Sequence, residues 1–180
     1  MDPADIYIRE ISDNAEFARH AYAEYLAALE RKDLSSLFTH IHYFLIHITN
    51  IDKLIDCNKN QFRRNILASR VDFSPINLKT FRRLRNHLEH FDERIDAWIE
   101  KYYGCPFFDL NLVTGCIGFP KEQALRALDG HTYLFHGEEY DLLELYNELE
   151  KVITLVEHTL KHASPRLTAK STSSSTSCTG

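Results

Sequence analysis

The chain has little of what marks a specialised scaffold. Four cysteines (Cys57, Cys105, Cys116 and Cys178) in 180 residues form no Cys-x-x-Cys pair. That excludes ordinary zinc-ribbon spacing, and a disulfide framework does not suit a chain of this size. Six glycines and five prolines are too few for a fibrous or linker-like protein. No glycine-rich phosphate loop and no Gly-x-Ser-x-Gly elbow occurs, so a nucleotide P-loop, a dinucleotide site and a serine-hydrolase nucleophile all lack support. "IHYFLIHITNI" is apolar but too short and too rich in histidine to span a membrane. "MDPADIYIRE" lacks the apolar stretch of a signal peptide. Neither sign of charge dominates: 21 basic against 26 acidic residues give a net charge of −5. A site for nucleic acid must then be a local basic patch. These absences lead to the expectation of a soluble, cytoplasmic protein.

What is present suits one globular domain. Hydrophobic residues make up 44% and charged residues 26%, enough apolar material for a core. Asp13 or Asn14 is placed to cap a first helix through "AEFARHAYAEYLAALERK", with Phe17, Ala21, Tyr25 and Leu26 at helical spacing. Asp33 or Ser35 caps a second, "SSLFTHIHYFLIHITNIDKLID", apolar on most of its circumference and expected to be the most buried. "NQFRRNILASRV" adds a turn or two before Pro75 breaks the pattern. A third long helix is predicted from Leu78 to Gly104, because Phe81, Leu84, Leu88, Phe91, Ile95, Trp98 and Tyr102 keep an unbroken 3-4 spacing. Glycines then cluster, and Asp129-Gly130 signals a turn, so residues 105–140 are expected to form a small β-hairpin insertion or small sheet. "DLLELYNELEKVITLVEHTLKHA" is the last helix, and the Ser/Thr-rich tail over 164–180 is expected to be disordered. The predicted fold class is all-α, an antiparallel helical bundle over 1–163 with that insertion before its last helix.

The third helix carries the cluster "RNHLEH". On a wheel of roughly 100° per residue, Arg85 lies roughly 90° from the centre of the apolar stripe and His90 roughly 130° from it. His87 falls on the stripe's edge, as a core-edge ring. Arg83, Asn86, His90 and Arg94 share one face, a local basic patch on an acidic chain. Glu89, Asp92, Glu93 and Asp96 supply partners for ordinary surface ion pairs, the plain structural account of the same residues.

Arg85-Asn86-His87-Leu88-Glu89-His90 resembles the Arg-x4–6-His signature of the HEPN superfamily, including a polar residue directly after the arginine. The resemblance spans roughly residues 13–163, and the β-rich stretch departs from the family's minimal four-helix pattern. It implies a metal-independent endoribonuclease acting through a composite cleft at a homodimer interface. Arg85, Asn86 and His90 would be catalytic; wheel position, not the resemblance, adds Arg83 and Arg94, with His87 at the stripe's edge, as substrate-binding residues. A histidine can move the proton of a 2′-hydroxyl or of the leaving 5′-oxygen, and an arginine fork can stabilise the phosphorane. The implied partners are RNA, a second copy of the chain and an antitoxin or regulatory protein, as in bacterial toxin and defence systems; no membrane partner, metal or other cofactor is implied.

Two competitors share these residues. A non-catalytic RNA-binding or protein-interaction module would use the same basic face without cutting. A purely structural bundle would pair Arg85 with Glu89. A metal-dependent hydrolase or oxidase, drawing on His40 and His47 of one face, on His158 and His162, and on Glu93, His131 or His136, lacks the paired Glu-x-x-His of di-iron bundles; His42 points elsewhere on its helix.

Overall fold

The computed structural model describes residues 2–56, 60–78, 81–103 and 108–162. Its helices are α1 (Pro3–Arg31), α2 (Leu34–Ile55), α3 (Gln61–Ala68), α4 (Arg82–Glu89), α5 (Phe91–Tyr102) and α6 (Leu142–His162). Strands β1 (Phe108–Leu112), β2 (Ala124–Asp129), β3 (Thr132–Phe135) and β4 (Glu138–Asp141) lie between α5 and α6. The expected helix stop at Gly104, three of the cysteines (Cys57, Cys105 and Cys178) and the tail over 164–180 fall outside the described residues.

α1 begins well before the expected Asp13 or Asn14. Asp2 caps it, accepting from the Ala4 amide at 2.9 Å, and Pro3 occupies the first turn, where its missing donor costs nothing. Asn14 instead sits buried in mid-helix, its Oδ1 accepting from His47 Nδ1 at 3.1 Å and Asn50 Nδ2 at 3.2 Å on α2. α2 starts where expected, with Asp33 accepting from the Ser36 amide at 3.2 Å. It is not buried all round, however: Tyr43 and Ile46 face solvent, as does Phe17 on α1. The central helix is α1, which packs on both α2 and α6. Tyr22 ties the three together, its ring 4.1 Å from Tyr146 and 5.1 Å from Phe44. Each fully buried Ile8, Ile11 or Phe44 contributes about 1.5–3 kcal/mol of hydrophobic stabilisation.

The all-α expectation is overturned. Residues 108–141 form a four-stranded mixed sheet in the order β1-β2-β3-β4, not a small hairpin on a bundle. β2–β3 and β3–β4 are antiparallel hairpins, but β1 runs parallel to β2 and reaches it through the crossover 113–123. The sheet is too apolar on both faces to be an appendage. Leu128, Tyr133, Phe135 and Tyr140 join the helical core, while Val113, Ala124, Ala127 and Leu134 make a second small core with Phe108 and Phe119. The chain is thus helices against one face of a sheet, a layered architecture rather than a bundle.

The single helix over 78–104 is also corrected. His90, at φ −116° and ψ 41°, leaves the helical region and divides α4 from α5. The apolar stripe survives the break, since all seven of its residues lie in or against the main core. Two causes are visible. Phe91 packs against Phe135 of the sheet, ring centres 6.0 Å apart, and under the Arg126 guanidinium at 4.9 Å. Asp92 and Glu93 then fall in the first turn of α5, where the helix dipole favours acidic groups.

Candidate functional site

Arg85 points from α4 towards α2, where its Nη1 donates to Asp52 Oδ2 at 2.5 Å. Its neighbours continue the contact: Arg82 Nη2 lies 2.8 Å from Asp56 Oδ2, and Lys53 pairs with Glu89. Glu89 is therefore not the partner of Arg85. Asp52 is nearly buried, and burial pushes its carboxyl above the ordinary range more than the Arg85 and Arg82 guanidiniums pull it down. Arg85 retains 26% side-chain exposure. Asp52 holds it through one nitrogen, its Nε is buried without a partner, and Nη2 makes no hydrogen bond among the described residues.

His90 stands at the helix break with 48% of its side chain exposed, its Nδ1 3.3 Å from Glu93 Oε1. Asn86, one turn earlier, is exposed and gives its backbone carbonyl to the His90 amide at 3.1 Å. Both residues face solvent, as the wheel predicts.

His87, Arg83 and Arg94 turn elsewhere. His87 is buried, and its Nδ1 accepts from Arg94 Nε at 3.0 Å. An accepting Nδ1 puts the neutral ring's proton on Nε2, which lies 3.5 Å from Glu138 Oε1, too far for a good hydrogen bond. Burial is the main cause that pushes the His87 imidazole below its ordinary range, and Glu138 opposes it. Arg83 Nη2 reaches the same Glu138 oxygen at 2.5 Å. Arg83 thus links α4 to β4 through a side chain that stays 78% exposed, and Arg94 links α5 to α4 through His87. The basic face over Arg83, Asn86, His90 and Arg94 does not persist, because the break at His90 rotates Arg94 onto His87.

No family model, curated protein or solved structure matches this chain. The site is therefore read from its own chemistry. It offers an anchored guanidinium and an exposed imidazole five residues apart, one suited to a phosphate oxygen and the other to proton transfer. His158 and His162 stand ring to ring at 4.3 Å on α6, but no group of three or more His, Cys, Asp or Glu is placed to hold a metal among the described residues. No helix among them is long and apolar enough to cross a membrane.

Asp52 and Glu138 are the neighbours of the candidate residues that sequence reasoning missed. For Asp52 a signal existed: it continues the buried stripe Ile41, Leu45, Ile48 of α2. A carboxylate on a buried stripe calls for a cationic partner. Glu138 gave no such signal, since its position depends on how the β3–β4 hairpin docks.

Proposed function

We propose that the protein is a metal-independent endoribonuclease of the HEPN type, cytoplasmic and homodimeric, of the toxin or defence kind held in check by a partner protein. The observation that carries the reading is the helix break, which leaves His90 exposed, five residues after an Arg85 that Asp52 anchors and leaves with an unbonded Nη2. In this reading two subunits face each other across the motif. The 2′-oxygen attacks phosphorus and loses its proton to one His90. The bond to the 5′-oxygen breaks, and that oxygen takes a proton from the other His90. The products are a 2′,3′-cyclic phosphate and a 5′-hydroxyl. Arg85 stabilises the charge on the phosphorane oxygens, and Asn86 positions the phosphate.

The second reading is a non-catalytic RNA-binding or protein-interaction module; the pairing of Arg82 with Asp56 and of Arg83 with Glu138 weakens the local positive field and so favours its protein-interaction form. One assay separates them. EDTA-treated protein is incubated with transfer RNA and messenger RNA, comparing wild type with His90→Ala and Arg85→Ala. The nuclease reading expects wild-type cleavage leaving cyclic phosphate, with each substitution costing about 10²–10⁴-fold in rate. Cleavage of a 2′-deoxy substrate sinks the mechanism. Absence of cleavage by wild type, with RNA still bound, moves the assignment to the binding module.

A further inference from the structure

Beneath the α4–α5 break lies a cavity of about 110 Å³ that the nuclease reading does not use. Phe38 and His42 of α2 form one wall, Leu88 and Phe91 flank the break, and Tyr133 and Phe135 of β3 form the floor. An engineered apolar cavity of about 150 Å³ that takes up benzene sets the scale, so this space suits one ring with a small substituent.

The polar groups narrow the choice. Tyr133 is only 4% exposed, lines the cavity, and its hydroxyl makes no hydrogen bond among the described residues. The hydroxyl oxygen is not sealed away: it opens onto the cavity, where water can meet it and a ligand's acceptor can take the place of that water. Arg126 also lines the space. Its Nε and Nη2 bind both oxygens of Asp109, at 2.8 and 2.6 Å, and its face lies over Phe91. Nη1 remains as a donor, while the bidentate carboxylate already answers the charge. Two donors beside a matched ion pair call for an acceptor and not for an anion, which Asp109 would repel. Burial, chiefly, and Arg126 both push the mouth residue His42 towards the neutral ring, so it adds no charge either.

The entrance is built on an unusual backbone. Leu110, on the rim, has φ +56° at a register irregularity of β1 and is 40% exposed. A leucine in the left-handed region costs about 1–2 kcal/mol, and bulges of this kind re-aim side chains near sites.

We propose that this cavity binds an uncharged single-ring aromatic molecule bearing a carbonyl or ring-nitrogen acceptor, with Tyr133 and Arg126 as its donors. The proposal does not rest on the nuclease reading.

Ligand-observed saturation-transfer NMR titrations test it, with benzamide, ethylbenzene and benzoate as probes of the full chain. Benzamide is expected to bind most tightly and benzoate least. Tyr133→Phe should weaken benzamide about fivefold, the worth of one net hydrogen bond, and leave ethylbenzene unchanged. His42→Trp, at an exposed position on the mouth, should abolish saturation of all three while circular dichroism stays native. No saturation by benzamide at millimolar concentration overturns the proposal. So does benzoate binding tighter than benzamide, or benzamide binding that neither substitution changes.

Discussion

Ile41, Leu45 and Ile48 lay an apolar stripe along α2, and Asp52 continues it with a carboxylate. Burial dominates the Asp52 environment even with Arg85 at 2.5 Å and Arg82 at 4.0 Å. The pair is therefore better suited to positioning than to stabilising, since desolvation offsets much of its attraction. Asp52→Asn keeps the shape and one acceptor oxygen but removes the charge. It is expected to cost about 1 kcal/mol or less in urea unfolding, because Arg85 is partly solvated and screened. RNA cleavage should nonetheless fall at least tenfold, with the loss in kcat, as Arg85 loses its orientation. A large stability loss with unchanged kcat would make Asp52 a structural residue only. His87 is the contrasting case. The same short motif supplies it, yet its buried ring joins α4 to α5 through Arg94 and packs against Phe135 of β3 at 5.5 Å.

At the scale of elements, two short hairpins decide where the helices sit. β2 and β3 are joined by Gly130-His131, with Gly130 at φ +62°. β3 and β4 are joined by His136-Gly137, both at positive φ, +52° and +79°, as a type I′ turn requires. Glycine occupies that region freely, whereas His136 is strained there, and Asn tolerates it better. His136→Asn is expected to raise stability by about 0.5–1 kcal/mol, read as a higher melting temperature of a few degrees. A lower melting temperature would mean that the His136 ring, 5.8 Å from His87, contributes more by packing than its backbone costs. The same hairpin carries Glu138, so α4, α5 and β4 should lose order together when it is disrupted.

For the whole molecule, pH is the simplest lever. Burial is the leading cause that lowers the imidazoles of His87, His136, His47 and His42 below their ordinary range. A depressed histidine is protonated more readily in the unfolded chain than in the folded one. Stability therefore falls as pH drops through the unfolded value of about 6.5, with each ring adding at most about 1.4 kcal/mol per pH unit. Urea midpoints are expected to decline from pH 7 to pH 5, before the carboxylates lowered in the fold (Glu138, Glu148 and Glu89) lose their own contribution in stronger acid. A midpoint flat over that range would mean the four rings are open to water.

The amino-acid sequence by itself determined the helical character of the periodic segments but not the break at His90, a cap of α2 at Asp33 or Ser35, the start of α6 at Asp141, and the exposure of His90 and Asn86. These are local matters, set by spacing and by side chains that bond within one turn. Only the tertiary structure decided the rest. The parallel pairing of β1 with β2 needs a crossover whose glycines and proline read as loop, and the break at His90 depends on Phe91 meeting Phe135 and Arg126 across the chain. The partners of Arg85 and His87, Asp52 and Glu138, come from elements 33 and 51 residues away. Sequence spacing fixes which face of a helix a residue occupies; only the packing of distant elements fixes what stands opposite that face.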